Sequence, residues 1–589
     1  MPFRSHQILT FLLTGSAAIS LCWPMGSEAA APKMRLEIVP MWQRQPLVRD
    51  EPNEPQGARV SRLDYLLSKL ALKRADGSWL ESRDWFVHFS LDKGKSAADA
   101  DGLPSEKFTA IRFDVGVPTE INAGNPAQWA ADHALNPDVC GLHWGWQGGY
   151  IFMALEGHWK TPKGEVGGFS YHLANDPNVT HVEMPIEFQG GGPITFKLAL
   201  DVSAVLSGVD FEKDGTSTHS RAGDPVATKL RLNLEKAFRL VEVTHDLYQT
   251  AQPTAQARQG QGAHAYPLAV TERFPKVELP ADNPLTTEGV ALGEKLFHDT
   301  RLSINDSQSC ASCHAVANAF SDPQRFSAGA EGQVGKRNAM ALFNLAWGQG
   351  FFWDGRAKTL REQALMPIQD KHEMNETLEH VVVKLGKNRA LGTDFAKAFG
   401  TPQINPECIA KALEQYLLTL ISQDSRFDQA VRKVAELTEQ EKQGLQLFVT
   451  EHDPKRGLFG ADCFHCHGGT LFTDHQFHDN GLTSDELGRM VVTGNPADRS
   501  KFKTPSLRNI AVTAPYMHDG RFATLEEVVE HYSGPIQKRD TLDPNLAKHP
   551  EAGIQLSPAD KQALIAFLKT LTDQAFISKG RPNQLAKKP

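Results

Sequence analysis

Two pentapeptides carry the most specific chemistry in this chain: Cys310-Ala311-Ser312-Cys313-His314 and Cys463-Phe464-His465-Cys466-His467. Thiols at this spacing with a trailing imidazole form the attachment pattern of c-type haem. The cysteines add across the two vinyl groups and the histidine becomes the proximal iron ligand. One tetrahedral zinc shared by the two distant pairs would leave His314 and His467 without a role. The spacing therefore predicts two covalent haems. Among the remaining cysteines, Cys22 lies in an apolar leader and Cys140 and Cys408 stand alone, so no disulfide framework is expected.

The elements that must position these groups fall into two halves. Arg4 and His6 precede an apolar run from Ile8 to Leu21 and a small-residue stretch ending at Ala31. This reads as a signal peptide over 1–31 and places the mature chain in the periplasm, secreted or at the cell surface. A chain of 589 residues holds several folding units. With 62 basic and 70 acidic residues, a net charge of −8 and no long Lys/Arg run, nucleic acid drops out as a partner. Residues 32–245 read as an all-β sandwich, with strand patterns at Met34 to Val39, Phe108 to Val115, Tyr150 to Glu156, Val182 to Phe188 and Ile194 to Val202. A Gln-, Ala- and Gly-rich stretch from Thr250 to Ala265 marks a linker within 246–278. Residues 279–589 read as mainly α, with helical apolar spacing at Thr287 to Asp299, Thr359 to Met366, Glu376 to Leu385, Pro406 to Ser422, Thr438 to Val449, Leu525 to Tyr532 and Pro558 to Leu571. The duplicated haem motif divides this half into two haem subdomains.

The helical half resembles the bacterial di-haem cytochrome c peroxidase and MauG family. The resemblance rests on Asn283-Pro284-Leu285 before Leu292-Gly293-Glu294-Lys295-Leu296-Phe297, on Phe352-Trp353-Asp354-Gly355-Arg356, on Thr504-Pro505-Ser506-Leu507-Arg508-Asn509 and on Ala514-Pro515-Tyr516-Met517-His518-Asp519-Gly520, in that order around the haem motifs. It implies a first haem where hydrogen peroxide reacts, a second that stores oxidising equivalents in a high-valent state, and a calcium ion between them. Carried over, Glu373 is the acid/base of the distal pocket, Gln369 a polar pocket residue and Trp353 the inter-haem relay. Asn344 and Thr504 would be calcium ligands. The family's removable distal His has no counterpart in Gly335-Lys336-Arg337-Asn338, so the first site is expected to be open. Ordinary members place a ligating Met after Thr-Leu-Glu; here Thr524-Leu525-Glu526 leads to Tyr532. A phenolate is a hard anionic donor that favours high oxidation states, which shifts the resemblance toward MauG and MbnH. His531 and Met517 remain alternative ligands.

The first half resembles the MbnP-like family, through Arg62-Leu63-Asp64-Tyr65-Leu66-Leu67-Ser68, Asp76-Gly77-Ser78-Trp79 and the run from His143-Trp144-Gly145-Trp146 to Gly157. That family includes copper proteins whose metal is held by histidines and a kynurenine made from tryptophan. His88, His143 and His172 are thus candidate copper ligands, and Trp85, Trp144 and Trp146 candidates for oxidation. The resemblance implies an enzyme that uses peroxide to oxidise a tryptophan of its own fused domain, or of a partner protein, and so creates a copper site. Two other readings stay open: a peroxidase fed by an electron-donor protein, and a copper-binding protein with electron-transfer haems. A homodimer is left open as well.

Overall fold

The computed structural model describes residues 34–53, 57–82, 84–130, 133–144, 149–245, 263–454, 457–549 and 552–579. The expected leader, Trp146 and the first half of the expected linker lie outside them.

The first half is a sandwich of two sheets. One runs Phe238–Thr244, Ile194–Asp201, Met34–Trp42, Gln45–Pro46, and the other Thr180–Gln189, Lys107–Val115, Arg59–Arg74, Ile151–Lys160, Val166–Ala174, Ser217–Thr218. Leu36, Ile38, Phe196 and Leu198 from the first sheet share a buried core with Leu63, Tyr65, Phe113, Leu155 and Tyr171 from the second. Thr180–Gln189 alternates buried and exposed along its length, as expected of a strand with one wet face. Ile151–Lys160 does not: its first eight residues are all buried. Met153 and Leu155 face the sandwich core, whereas Phe152 and Ala154 pack with Leu66 and Trp144 on the opposite face. Period-two alternation carries Glu156 and His158 onto that outer face too, and the helical half covers them. His158 Nε2 donates to Leu542 O at 2.7 Å and Asn545 Nδ2 to Glu156 Oε2 at 3.3 Å.

The helical half repeats one packing device. Helix Thr287–Phe297 crosses Pro406–Leu418, and Glu439–Phe448 crosses Pro558–Lys569. At the crossings a Cβ on Gly293 would lie 2.0 Å from Ala412 O, and one on Gly444 would lie 1.9 Å from Ala563 O. Only glycine lets the backbones meet this closely. Thr359 with Glu362, Thr438 with Glu441 and Thr524 with Glu527 form capping boxes that start three of the helices. Residues 263–278, expected as linker, instead pack on this half: Tyr266 N–H donates to Leu285 O at 3.0 Å, and Phe274 meets Trp347 with ring centroids 5.4 Å apart. Tyr266, Leu268 and Phe274 are apolar enough to be worth burying.

The halves dock through the strand Val166–Ala174. Gly168 N–H donates to Ala547 O at 3.2 Å, and a Cβ there would stand 2.0 Å from Pro544 O. Ion pairs Arg49–Asp498 at 2.7 Å and Arg59–Asp540 at 3.3 Å flank the contact. Gly168→Ala should therefore weaken docking by about 1–3 kcal/mol, the usual cost of forcing a methyl into packed backbone. The readout is faster proteolysis between the halves with both haems still attached; unchanged cleavage would mean that the contact does not hold them together.

Candidate functional site

Each haem motif presents its histidine in the same way. His314 Nδ1 donates to Phe320 O at 2.7 Å and His467 Nδ1 to Phe472 O at 3.2 Å, which fixes both rings and makes Nε2 of each the nitrogen that would bind a metal. Burial lowers the pKa of both imidazoles, which keeps them neutral and able to coordinate. None of Cys310, Cys313, Cys463 and Cys466 is in a disulfide. One continuous cavity is lined by Cys313 and His314 at one end and by Cys463, Cys466 and His467 at the other. Paired thiols and a neutral imidazole at each end of one cavity fit two covalently held macrocycles.

At the first end, Glu373 opens onto the cavity. Its side chain is exposed to that cavity, and desolvation by the protein around it, with Asp370 adding to it, pushes its carboxyl up to about 7 against the opposing pull of Arg356 and His372. A carboxyl poised there exchanges protons at neutral pH. Gln369, expected beside it, is exposed and donates from Nε2 to Leu365 O at 3.2 Å. The cavity-facing amide of this helix is Gln363, one turn before Pro367, which also lines the cavity. Position 369 lies about 200° round the helix from 367, so the sequence motif points to the right helix but the wrong face. In the loop expected to lack a ligand, Arg337 pairs with Asp354 at 2.7 Å and Asn338 Nδ2 donates to Gln324 O at 3.0 Å.

Between the ends, Trp353 lines the cavity and donates from Nε1 to Asn338 O at 2.9 Å. Asn344 and Thr504 line it as well. The Asn344 amide clamps Ser422, accepting from its N–H at 2.8 Å and donating to its carbonyl at 3.0 Å, while Thr504 O accepts from Thr473 Oγ1 at 2.8 Å. Both therefore already hold backbone in place. Arg508, from the same motif as Thr504, makes a buried two-pronged pair with Asp428 at 2.8 and 2.9 Å.

At the second end, Tyr532 stands on helix Leu525–Ser533 and faces the cavity, as does Met517. Asn480 Nδ2 reaches both, donating to Tyr532 Oη at 3.3 Å and to Met517 Sδ at 3.5 Å. Burial raises the phenol's pKa, so a phenolate there would need a cation to stabilise it. His531 is committed elsewhere, with Nε2 on Asn480 O at 3.0 Å. Two histidines that the motifs did not flag, His475 and His518, also line the cavity, each buried with Nε2 unbonded.

The copper and tryptophan candidates disperse. Trp85 donates from Nε1 to Asp99 O at 3.0 Å within the sandwich core. His88 is buried with Nε2 3.6 Å from Asp64 Oδ1. His143 packs edge-on against Tyr150, with ring centroids 4.7 Å apart. His172 lies at the junction of the halves and meets two histidines the sequence reading passed over, one from each half. His219 lies 4.9 Å away and His465, from inside the second haem motif, 5.5 Å away between ring centroids. Trp144 lies 5.8 Å from His219 by the same measure. No local pattern ties residues 172, 219 and 465 together; only the docking does.

The di-haem cytochrome c peroxidase family matches residues 287–436 and the MbnP family residues 31–220. The methylamine utilization protein MauG of Methylophilus methylotrophus is 35% identical over 317 residues, 53% of this chain and 91% of that protein. Cytochrome c peroxidase Ccp of Escherichia coli is 35% identical over 309 residues, 50% of this chain and 61% of that protein. A crystal structure of a MauG-like protein associated with microbial copper homeostasis is 33% identical, with a TM-score of 0.48 over 54% of this chain and 98% of that one. The cavity geometry separates two glutamines for testing. Gln363→Leu should slow the reaction of the haem-loaded protein with hydrogen peroxide roughly fivefold, the worth of one hydrogen bond of about 1 kcal/mol, and Gln369→Leu should leave it unchanged. Equal effects in stopped-flow spectra would mean that neither amide works from the cavity.

Proposed function

This chain belongs to the di-haem cytochrome c peroxidase/MauG family and is a peroxidase-like oxidoreductase with an MbnP domain ahead of its haem half; on that premise we propose that it uses hydrogen peroxide to oxidise Trp144 of its own MbnP domain. Two haem groups, when bound to the cysteine pairs and to His314 and His467, supply the oxidising equivalents. The observation that carries the reading is a series of ring contacts. Trp144 lies 5.8 Å from His219, and His219 lies 5.1 Å from His465, which stands between Cys463 and Cys466. Trp85 has no such approach to the haem half and reads as core.

In this reading Glu373 takes the proton of incoming peroxide and returns it to the departing oxygen, helped by Gln363. Trp353, between the two ends of the cavity, relays electrons from the second end to the first. Tyr532, with Met517 the competing donor, would hold the second haem together with His467. Asn344 and Thr504, both neutral oxygen donors, would hold a calcium ion. The chemistry balances with two molecules of peroxide. Each takes up two electrons and two protons and leaves as two waters, while the indole gives up those four electrons and four protons and takes its two oxygens from water, opening the pyrrole ring to N-formylkynurenine; hydrolysis then releases formate and leaves kynurenine. The new aniline and ketone carry lone pairs that an indole lacks, so copper binding beside His219 should strengthen.

Peroxide treatment of the haem-loaded chain should add two oxygens to the peptide bearing Trp144, read by intact mass and peptide mapping, and Trp144→Phe should remove the product. Modification of a different tryptophan, or rapid turnover with an electron-donor protein and no modification, would reject the reading. The rate should rise with pH through about 7 as Glu373 becomes the carboxylate base. Glu373→Gln should lower it by about two to four orders of magnitude and flatten that pH step.

A further inference from the structure

We propose that His172, His219 and His465 bind one copper ion across the seam between the two halves. One ring nitrogen of each lies within 4.8 Å of the others. The side chains are 3%, 11% and 2% exposed respectively.

A carboxylate stands beside each imidazole, bonded to His172 and to His219 and within ion-pair distance of His465. His172 Nε2 is 2.8 Å from Glu156 Oε1, His219 Nδ1 is 2.9 Å from Glu451 Oε2, and His465 Nε2 is 3.4 Å from Asp462 Oδ1. His172 Nδ1, His219 Nε2 and both nitrogens of His465 have no hydrogen-bond partner. Buried polar atoms are almost always bonded, and three neighbouring imidazoles that each keep an unbonded nitrogen have lone pairs to offer a cation. A carboxylate behind each ligating histidine is the usual second shell of a metal site, fixing the tautomer and strengthening the donor. The carboxylates are themselves held: Arg62 donates to Glu156 at 2.9 Å, and Lys548 lies 3.5 Å from Glu451 and 3.8 Å from Asp462.

The donor set names the metal class. Three imidazoles without a carboxylate or thiolate among them suit a borderline late transition ion, and the Irving–Williams order favours copper over zinc. The thiols nearest the site, Cys463 and Cys466, belong to the haem motif. His172 stands on the strand Val166–Ala174 and His219 follows Ser217–Thr218, whereas His465 comes from the helical half. The site therefore exists only when the halves are docked, and its third ligand directly precedes Cys466 and stands two positions before His467 in the second haem motif. It needs no oxidation of Trp144 and goes beyond the reading above, although a modified Trp144 would stand next to His219 as a further donor.

The test uses the full haem-loaded chain, stripped with chelator and never exposed to peroxide. Titration with Cu(II) should show one equivalent bound, with nitrogen hyperfine splitting in its electron paramagnetic resonance spectrum, and occupancy should shift the reduction potential of the second haem alone. His465→Phe should keep both haems, since the first motif carries Ala311 and Ser312 at the middle positions. It should weaken copper binding by about a hundredfold or more, at least the cost of losing an outer-shell partner, and abolish the potential shift. Trp144→Phe should bind copper as the unmodified chain does. Equal affinity in the wild type and His465→Phe would confine any site to the first half and overturn the proposal. Loss of binding in Trp144→Phe would likewise reject it, and tighter binding of Zn(II) than of Cu(II) would reject copper as the metal.

Discussion

The carboxylate of Glu156 is the point on which the two halves depend. It is buried, and it accepts from Arg62 Nη1 at 2.9 Å, from His172 Nε2 at 2.8 Å and from Asn545 Nδ2 at 3.3 Å. The first two partners belong to the sandwich and the third to the helical half. Burial alone would raise its pKa, but Arg62 and His172 hold it well below the usual carboxylate range. A charge in such a place is tolerated only with its bonds complete, and leaving it unpaired costs about 3–5 kcal/mol. Docking supplies the last of those bonds. The stretch of the outer face that carries Glu156 and His158 is thus polar and completes its hydrogen bonds in contact with the haem half, which explains why this end of Ile151–Lys160 is buried on both sides.

From this constraint the rest of the junction follows. With Glu156 fixed, His172 is held in one orientation, and the same face brings His158 onto Leu542 O at 2.7 Å. The loop carrying Leu542, Asn545 and Ala547 is thereby pinned along the strand that bears Gly168. His219 then meets Phe464 with ring centroids 5.5 Å apart, so that the second haem motif, and not the first, faces the sandwich. The two haem subdomains, built on the same Gly293 and Gly444 crossings, thus acquire different surroundings. One opens to a pocket with a neutral-range carboxyl, and the other is sealed by a protein domain.

How much of this was legible in the sequence depended on the range of the interaction. The haem motifs, the capped helices and the sandwich class are local patterns, and each appears where expected within a few residues. The strand Arg59–Arg74, the longest in the fold, escaped because a central strand covered on both faces shows no alternation; its residues from Leu63 to Leu67 are all buried. Helix Arg389–Phe399 was also passed over. Gln369 was placed on the correct helix but off the cavity, because a motif match fixes sequence position and not helical phase. His219 and His465 are 246 positions apart, a pairing no single-sequence periodicity reports, and His465 was hidden inside a motif whose middle residues are usually read as spacers.

The separation of the two ends gives the fusion its physical sense. Under the proposed reading, peroxide reacts near Glu373 while the residue to be oxidised lies beyond the second haem motif, so the oxidant and the substrate side chain never share a pocket. Electrons must travel from Trp144 through the second end and past Trp353 to the first. A free substrate protein would have to find the second face by diffusion and pay the entropy of association at every encounter. A domain already docked through Glu156, Gly168 and the 540s loop pays it once, during folding. Specificity then needs no recognition pocket: it is set by which aromatic ring lies beside the histidines of the seam, and among the described tryptophans Trp144 has that position while Trp85 is buried in the sandwich core.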